Sequence, residues 1–269
     1  MARAFIGVSG WRYKHWRGDF YPPGLRQADE LAYLARHMTS AEVNGSFYSL
    51  QRPSTYQAWR TAVPDGFVFA LKGSRFVTHM KRLRDVETAL ANYFASGVLA
   101  LDDALGPILW QLPARMAFDG GLLAPFLRLL PHSTRAAAEL AARHDSKVAE
   151  ALTASRSDRV ILHALEPRHE SFGAPEALEL FERESVGIAL SDGAGSWPEV
   201  DADTAAFRYA RLHGETALYR GGYSDRSLDA WADRVQGWLA AGRDAYVYFD
   251  NDVDGRAPHD AVALLGRLH

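Results

Sequence analysis

Cysteine is absent from the 269-residue chain. That absence excludes disulfides, thiol nucleophiles, thiolate zinc sites and iron–sulfur ligation, and it removes any sign of an oxidising compartment. Long hydrophobic runs are missing too: no stretch approaches the ~18 apolar residues needed to cross a membrane. Met1-Ala2-Arg3-Ala4 leads straight into the strand-like Phe5-Ile6-Gly7-Val8, so no signal peptide is expected and the expected location is the cytoplasm. Neither sign of charge dominates. Thirty Lys and Arg face 33 Asp and Glu, a formal net charge of −3, so no global basic field exists to hold nucleic acid and any anion must meet a local cluster. There is no Walker loop, no HExxH and no GxSxG, and Gly193-Ala194-Gly195 is too short a match for a dinucleotide site. No cofactor is expected.

Hydrophobic residues make up 48% and charged residues 23% of the chain, which suits a globular protein with a large core. The length matches the roughly 250 residues of one TIM barrel. Short apolar runs read as strands at Phe5–Ser9, Ser40–Val43, Phe67–Lys72, Pro107–Gln111, Val160–Leu165, Val186–Leu190, Phe207–Leu212 and Ala245–Phe249. Amphipathic segments between them predict helices at Gln27–His37, Ser54–Thr61, Asp85–Ser96, Ala136–Ala154, Pro175–Glu184, Leu228–Ala241 and Pro258–Leu268. The interval from Pro113 to Arg159 has room for two helices. Alternation of this kind means βαβ units on a parallel sheet. Residues 1–269 therefore read as a single (β/α)8 TIM-type barrel domain, with a doubly wound open sheet as the alternative.

Side chains two apart in a strand share a face, and several strand ends place polar pairs at that spacing: Glu42 with Asn44, Glu166 with Arg168, Arg211 with His213. Single polar residues close others: Lys72 after Val68 and Ala70, Gln111, Asp192 after Ile188 and Leu190, and Asn251 after Val247 and Phe249. Apolar strands with polar C-terminal tips are what a barrel mouth requires, because the lower layers pack and the top layer meets substrate. The bland alternative is that Glu166 with Arg168, or Glu42 with Lys72, are neutralising pairs that only plug the barrel. Glu42, Glu166, Asp192 and His213 offer an oxygen-and-imidazole set for a metal. Lys72, Arg168 and Arg211 would repel a divalent cation there, so no metal site is expected.

Four loops should cover the mouth. Gly10-Trp11-Arg12-Tyr13-Lys14-His15-Trp16 and Phe20-Tyr21 interleave aromatic and basic residues, a surface able to stack on a planar ring while meeting negative charge. Most of these rings should pin the loop to the rim and leave one or two free, with Trp11 the candidate for ligand. Asn44-Gly45-Ser46-Phe47-Tyr48 adds Tyr48, and Ser74–His79 brings His79 to the same face. Tyr219-Arg220-Gly221-Gly222-Tyr223 reads as a flap.

These segments also resemble a known family. Gly7-Val8-Ser9-Gly10-Trp11, Glu42-Val43-Asn44 with Ser46-Phe47-Tyr48, Thr78-His79, Leu109-Trp110-Gln111-Leu112-Pro113, Glu166-Pro167-Arg168-His169, Arg211-Leu212-His213-Gly214 and Tyr248-Phe249-Asp250-Asn251-Asp252 follow in order, as in the YecE-like family (domain-of-unknown-function family seventy-two). The resemblance implies a TIM-type barrel, distantly like abasic-site endonucleases and sugar isomerases at the level of fold. It carries over Glu42, Asn44, Lys72, His79, Gln111, Glu166, Arg168, Arg211, His213 and Asn251. Two departures stand out: Phe172 where the family usually has tryptophan, and Asp250 where asparagine is usual. With Asn251 facing the pocket, Asp250 should face away.

Taken together, the residues point first to an enzyme for a small anionic or phosphate-bearing ligand, with a nucleotide or nucleic-acid segment among the candidates. Arg168, Arg211 and Lys72 would hold the phosphate. Glu42 or Glu166 would act as general base, with His213 or His79 as the partner acid. The alternatives are a sugar or sugar-acid isomerase or lyase using Glu166 and His213, with a metal-assisted form of it as the minority case, and a non-catalytic binding barrel. On this reading Arg211→Ala removes anion binding and leaves the fold intact.

Overall fold

The computed structural model describes residues 1–268. Eight strands, β1 (Ala4–Ser9), β2 (Ser40–Val43), β3 (Val68–Lys72), β4 (Leu105–Gln111), β5 (His163–Glu166), β6 (Gly187–Asp192), β7 (Phe207–Leu212) and β8 (Asp244–Phe249), pair in chain order. The ladder from Ala4↔Ala245 to Val8↔Phe249 closes β1 on β8, so the open-sheet alternative is overturned. All pairings are parallel, which puts every strand C-terminus, and the polar residues just beyond it, at one mouth.

Helices match the sequence reading less closely. Gln27–His37 is a 3₁₀ turn followed by the short helix Glu30–Leu34. The second helix between β4 and β5 runs Thr134–Ala141 and stops well short of Ala154. The cause is local. The Asp145 carboxylate accepts the Lys147 N–H at 2.9 Å and the Asn92 amide at 3.0 Å, a side-chain alternative to helical bonding. The other helix in that interval, Gly120–Leu129, is capped by Asp119, whose carboxylate accepts the Leu122 N–H. No helix among the described residues is long and apolar enough to cross a membrane.

The barrel interior is packed asymmetrically. Phe5, Phe207, Tyr209, Tyr246 and Tyr248 fill it from β1, β7 and β8, against Ala70, Leu109, Ala164 and Ala189 from β3 to β6. Large side chains thus reach across toward small ones, as in interdigitating barrel layers. Tyr246 stacks on Phe5 at 4.7 Å, and the Tyr248 hydroxyl meets the Ser40 hydroxyl at 2.7 Å. Gly7 has no alternative residue: a Cβ there would lie 1.9 Å from the Ser40 carbonyl oxygen. The outward strand faces are equally apolar and pack under the helices.

Candidate functional site

Above these aromatic layers, at the level where the strands end, one guanidinium organises the mouth. Arg211 on β7 is fully buried. Its Nη2 donates to Glu42 at 2.7 Å and Asp250 at 3.0 Å, its Nε to Glu42 at 3.0 Å, and its Nη1 to Glu166 at 3.2 Å. Glu42 also accepts from the Tyr209 hydroxyl at 2.7 Å and from the Ser9 hydroxyl. Glu166 accepts from Ser191 at 2.9 Å and Arg168 at 3.1 Å. His213 lies against Asp250 (Nδ1 to Oδ2, 3.1 Å) and Glu166 (Nε2 to Oε1, 3.4 Å), with Trp197 and Tyr219 edge-on at 5.2 and 5.4 Å. The cluster is nearly neutral and almost fully hydrogen-bonded, the condition under which buried charges are tolerated.

This arrangement reassigns several residues. Glu42, Glu166 and His213 are fully buried, and both carboxylates are saturated by donors. Burial alone would raise the Glu166 carboxyl, but Arg211 and Arg168 outweigh it and hold it well below its ordinary range. Such a group is a poor proton acceptor at neutral pH. Arg211, expected to grip an anion, is already spent on three carboxylates. It also fills the space where the suggested metal cage would place its ion, and Asp192 is turned out of that set. Asp192 accepts from Tyr223 at 2.9 Å and lines a separate crevice with Glu199 and Glu215.

The tip of β8 has the opposite facing to the one expected. Tyr246 and Tyr248 point into the barrel, so Asp250 follows them into the mouth. Asn251 turns outward, where its amide donates to Asp260 at 2.7 Å and the Gly221 carbonyl at 2.8 Å. Asp250 is therefore the carboxylate that reaches the cleft. Burial pushes it up, but Arg211 and His213 overcome this and set its pKa at about 2. Its contribution to stability is then fully present above its ordinary value of 3.8 and disappears as pH falls through about 2. Asp250→Asn should remove about 2 kcal/mol of the decline in unfolding free energy between those pH values. Denaturant titrations of both proteins across that range check this, and parallel curves would contradict it. Tyr209→Phe, which strips one donor from Glu42, should cost about 1.5–3 kcal/mol. An unchanged urea midpoint would show that Glu42 is held without it.

The cleft above the hub encloses about 380 Å³ and is lined by Tyr13, Asn44, Phe47, Tyr48, Lys72, Gln111, Arg168, Tyr219 and Asp250, with the edge of Arg211 at its floor. Lys72 and Gln111 are the last residues of β3 and β4, and Arg168 follows the end of β5 by two residues, so the three stand at the tips of consecutive strands. Among the described residues, Lys72 Nζ has no carboxylate within 4.0 Å and rests 4.8 Å from the centre of the Phe47 ring. Burial and the Arg211 charge lower its pKa. Arg168 spends one nitrogen on Glu166, stacks on Trp197 at 4.1 Å, and leaves its buried Nε without an acceptor. His79 bonds Thr78 and meets the edge of Phe47 at 5.3 Å. Its pKa is lowered by burial and by Lys72, Arg168 and Arg75, which favours the neutral ring.

Trp11 does not line this cleft. It is buried in edge-on contact with Trp59 at 5.4 Å and borders a neighbouring slot. Trp16, Phe20 and Tyr21 pin the first loop as expected, through the Trp16 indole to Asp252 (2.5 Å) and the Tyr21 hydroxyl to the Trp11 carbonyl (2.8 Å). Sequence reasoning missed Ser9, Tyr13, Ser191, Trp197, Tyr209, Tyr219 and Asp250. A larger crevice of about 590 Å³ beside Arg60, Asp102 and Asp103 lies at the opposite end of the barrel, where residues enter β4, and two of its arginines are paired with aspartates.

A family model described as "Protein of unknown function DUF72" matches residues 5–269. The chain belongs to the DUF72 family. No curated protein matches the sequence significantly. A DUF72 family protein from Thermotoga maritima MSB8 superposes with a TM-score of 0.77 at 21% identity, over 99% of each chain. Another from Enterococcus faecalis V583 gives 0.74 at 15% identity, over 98% of this chain and 95% of that one. At these identities the likeness speaks for the fold alone. Of the two departures from the DUF72 pattern, Phe172 is fully buried against Phe118 and Phe181 and is not at the rim. Asp250 is the one that touches the site.

Proposed function

We propose that this barrel is an enzyme acting on a phosphate-bearing ligand, whose phosphate sits on the arc formed by Lys72, Gln111 and Arg168. The observation that carries this reading is that donors at the tips of three consecutive strands face one cleft with unspent hydrogen-bonding capacity. A buried ammonium with no carboxylate in direct contact is costly, and an incoming anion supplies the missing acceptor. Arg168 offers a planar fork and Lys72 a point charge, the two complementary ways of meeting phosphate oxygens.

The chemistry best matched to this cleft is hydrolysis of a phosphate ester. Phosphoryl transfer rests mainly on positioning and charge stabilisation, which Lys72 and Arg168 provide. Asp250, facing them across the mouth, would orient a water rather than deprotonate it strongly, given its low pKa. Isomerase chemistry needs a base tuned toward neutrality, and Glu166, the base expected for it, is held in the other direction. The test is thermal unfolding with inorganic phosphate and simple phosphate monoesters. At a ligand concentration of about a hundred times Kd the wild type should gain about 2.7 kcal/mol, and Arg168→Ala should lose most of that gain. No stabilisation by any of these anions, or an equal shift in Arg168→Ala, contradicts the proposal.

A further inference from the structure

The cleft has a neighbour that hydrolysis of a bare phosphate ester does not use. A slot of about 350 Å³ opens between the first loop and the segment after β2, and it shares Tyr13 and Asn44 with the cleft as common walls. Its apolar side is Trp11, Val43 and Trp59, and its polar side is Arg12, Asn44 and Gln51. The local sequence creates it. Gly10 has φ +88°, and a Cβ there would come within 2.8 Å of the Tyr13 hydroxyl. The chain therefore turns sharply off β1, placing Trp11 and Tyr13 on the border of the slot. Tyr13 is fixed there by donating to the Ser9 carbonyl at 2.7 Å.

From this geometry we infer that the slot is the subsite for a planar heteroaromatic ring, and that the ligand is a nucleoside monophosphate. The inference rests on the phosphate reading above and specifies its substrate class. Continuity is the first reason: a ligand anchored on Lys72 and Arg168 leaves the cleft past Tyr13 and Asn44, where the sugar would lie, and enters the slot. Composition is the second. Half-buried Trp59 is held by Trp11, Tyr56 and Phe69 and lines the slot with the surface they leave uncovered, and stacking on such a ring tolerates any base because every base has a π-face. The third is unspent polarity at the lip. Among the described residues Arg12 is exposed and makes no salt bridge or side-chain hydrogen bond, and Asn44 uses its amide nitrogen on Ser9 at 2.9 Å while its carbonyl oxygen remains available. A guanidinium and an amide oxygen suit the edge and face of a base, whereas a purely aliphatic substituent would leave them idle.

The experiment compares adenosine 5′-monophosphate, ribose 5-phosphate and adenosine as ligands of the wild-type protein by calorimetry, with the indole fluorescence recorded in parallel. Adenosine 5′-monophosphate should bind on the order of tenfold or more tightly than ribose 5-phosphate, with quenching that ribose 5-phosphate does not cause. Arg12→Ala, at an exposed position that no packing depends on, should narrow that ratio and leave ribose 5-phosphate affinity unchanged. Equal affinities for the two phosphates overturn the ring subsite and leave the phosphate reading standing. Binding and quenching by adenosine, with ribose 5-phosphate inert, uphold the slot and overturn the phosphate arc. No binding by any of the three overturns both.

Discussion

Arg211→Met is expected to lower the unfolding free energy by roughly 3–5 kcal/mol, the usual cost of breaking a buried ion pair by removing one partner. For a chain of this size about 1 kcal/mol corresponds to about 2–4 °C in Tm, so melting should fall by on the order of 10 °C. Removing one cation leaves Glu42, Glu166 and Asp250 facing one another in the barrel neck, Glu42 and Glu166 fully buried. They would protonate or admit water, and the neck would loosen. This expected result reverses the sequence-based expectation that Arg211 can be removed with the fold intact, because every nitrogen of its guanidinium is hydrogen-bonded. Lysine should not rescue it: one ammonium cannot span Glu42, Glu166 and Asp250 as the five-donor fork does. Thermal and urea unfolding of Arg211→Met and Arg211→Lys check this, and a wild-type Tm in Arg211→Met would show that the hub contributes nothing to the fold.

Lys72→Met should do the reverse, making the protein more stable and a weaker binder of phosphate. Because the folded pKa of Lys72 lies below its ordinary 10.5, the unfolded chain holds more protons between those two values and stability rises with pH through that window. Below it, the ammonium is a net cost to the empty protein. Methionine keeps most of the stem's packing on Phe47 and removes the charge, so Tm should rise by about 2–4 °C, the equivalent of about 1 kcal/mol. The loss of a hydrogen bond to a charged group, about 1.5–3 kcal/mol, should weaken phosphate binding by roughly 10- to 150-fold. Stability exchanged for function in this way is the signature of a site residue rather than a structural plug. A variant that is less stable and binds phosphate normally would assign Lys72 to the scaffold.

The fold was legible because strand–helix alternation survives every local ambiguity, and all eight strands lie within a few residues of their expected positions. The site was legible where one strand face carries an unambiguous marker. Val68-Ala70-Lys72 on β3 and Tyr209-Arg211-His213 on β7 have the facing that spacing implies. On β6 and β8 it failed for a physical reason: strands of a closed parallel barrel are buried on both faces. Ile188 and Leu190 could then be mistaken for the inner row instead of Ala189 and Ser191, and Val247 and Phe249 for that of Tyr246 and Tyr248. A usable signal was present on β8. Tyrosines on one face bring hydroxyls that need partners in a barrel interior, and Asp250 continues that face. Charge balance was a second signal, since a buried Arg211 calls for carboxylates. What no pattern could show is how Arg211 divides itself among Glu42, Glu166 and Asp250, because that depends on the tips of β2, β5 and β8 meeting β7 in space.

The most direct test of the phosphate arc is a crystal structure of the protein soaked in inorganic phosphate. One tetrahedral anion is expected in the cleft, with oxygens about 2.7–3.2 Å from Lys72 Nζ, the Gln111 amide and the Arg168 guanidinium, while Arg211 keeps its carboxylates. Phosphate bound elsewhere with this cleft holding only water, or Lys72 swung onto Asp250 as an ordinary ion pair, would contradict it.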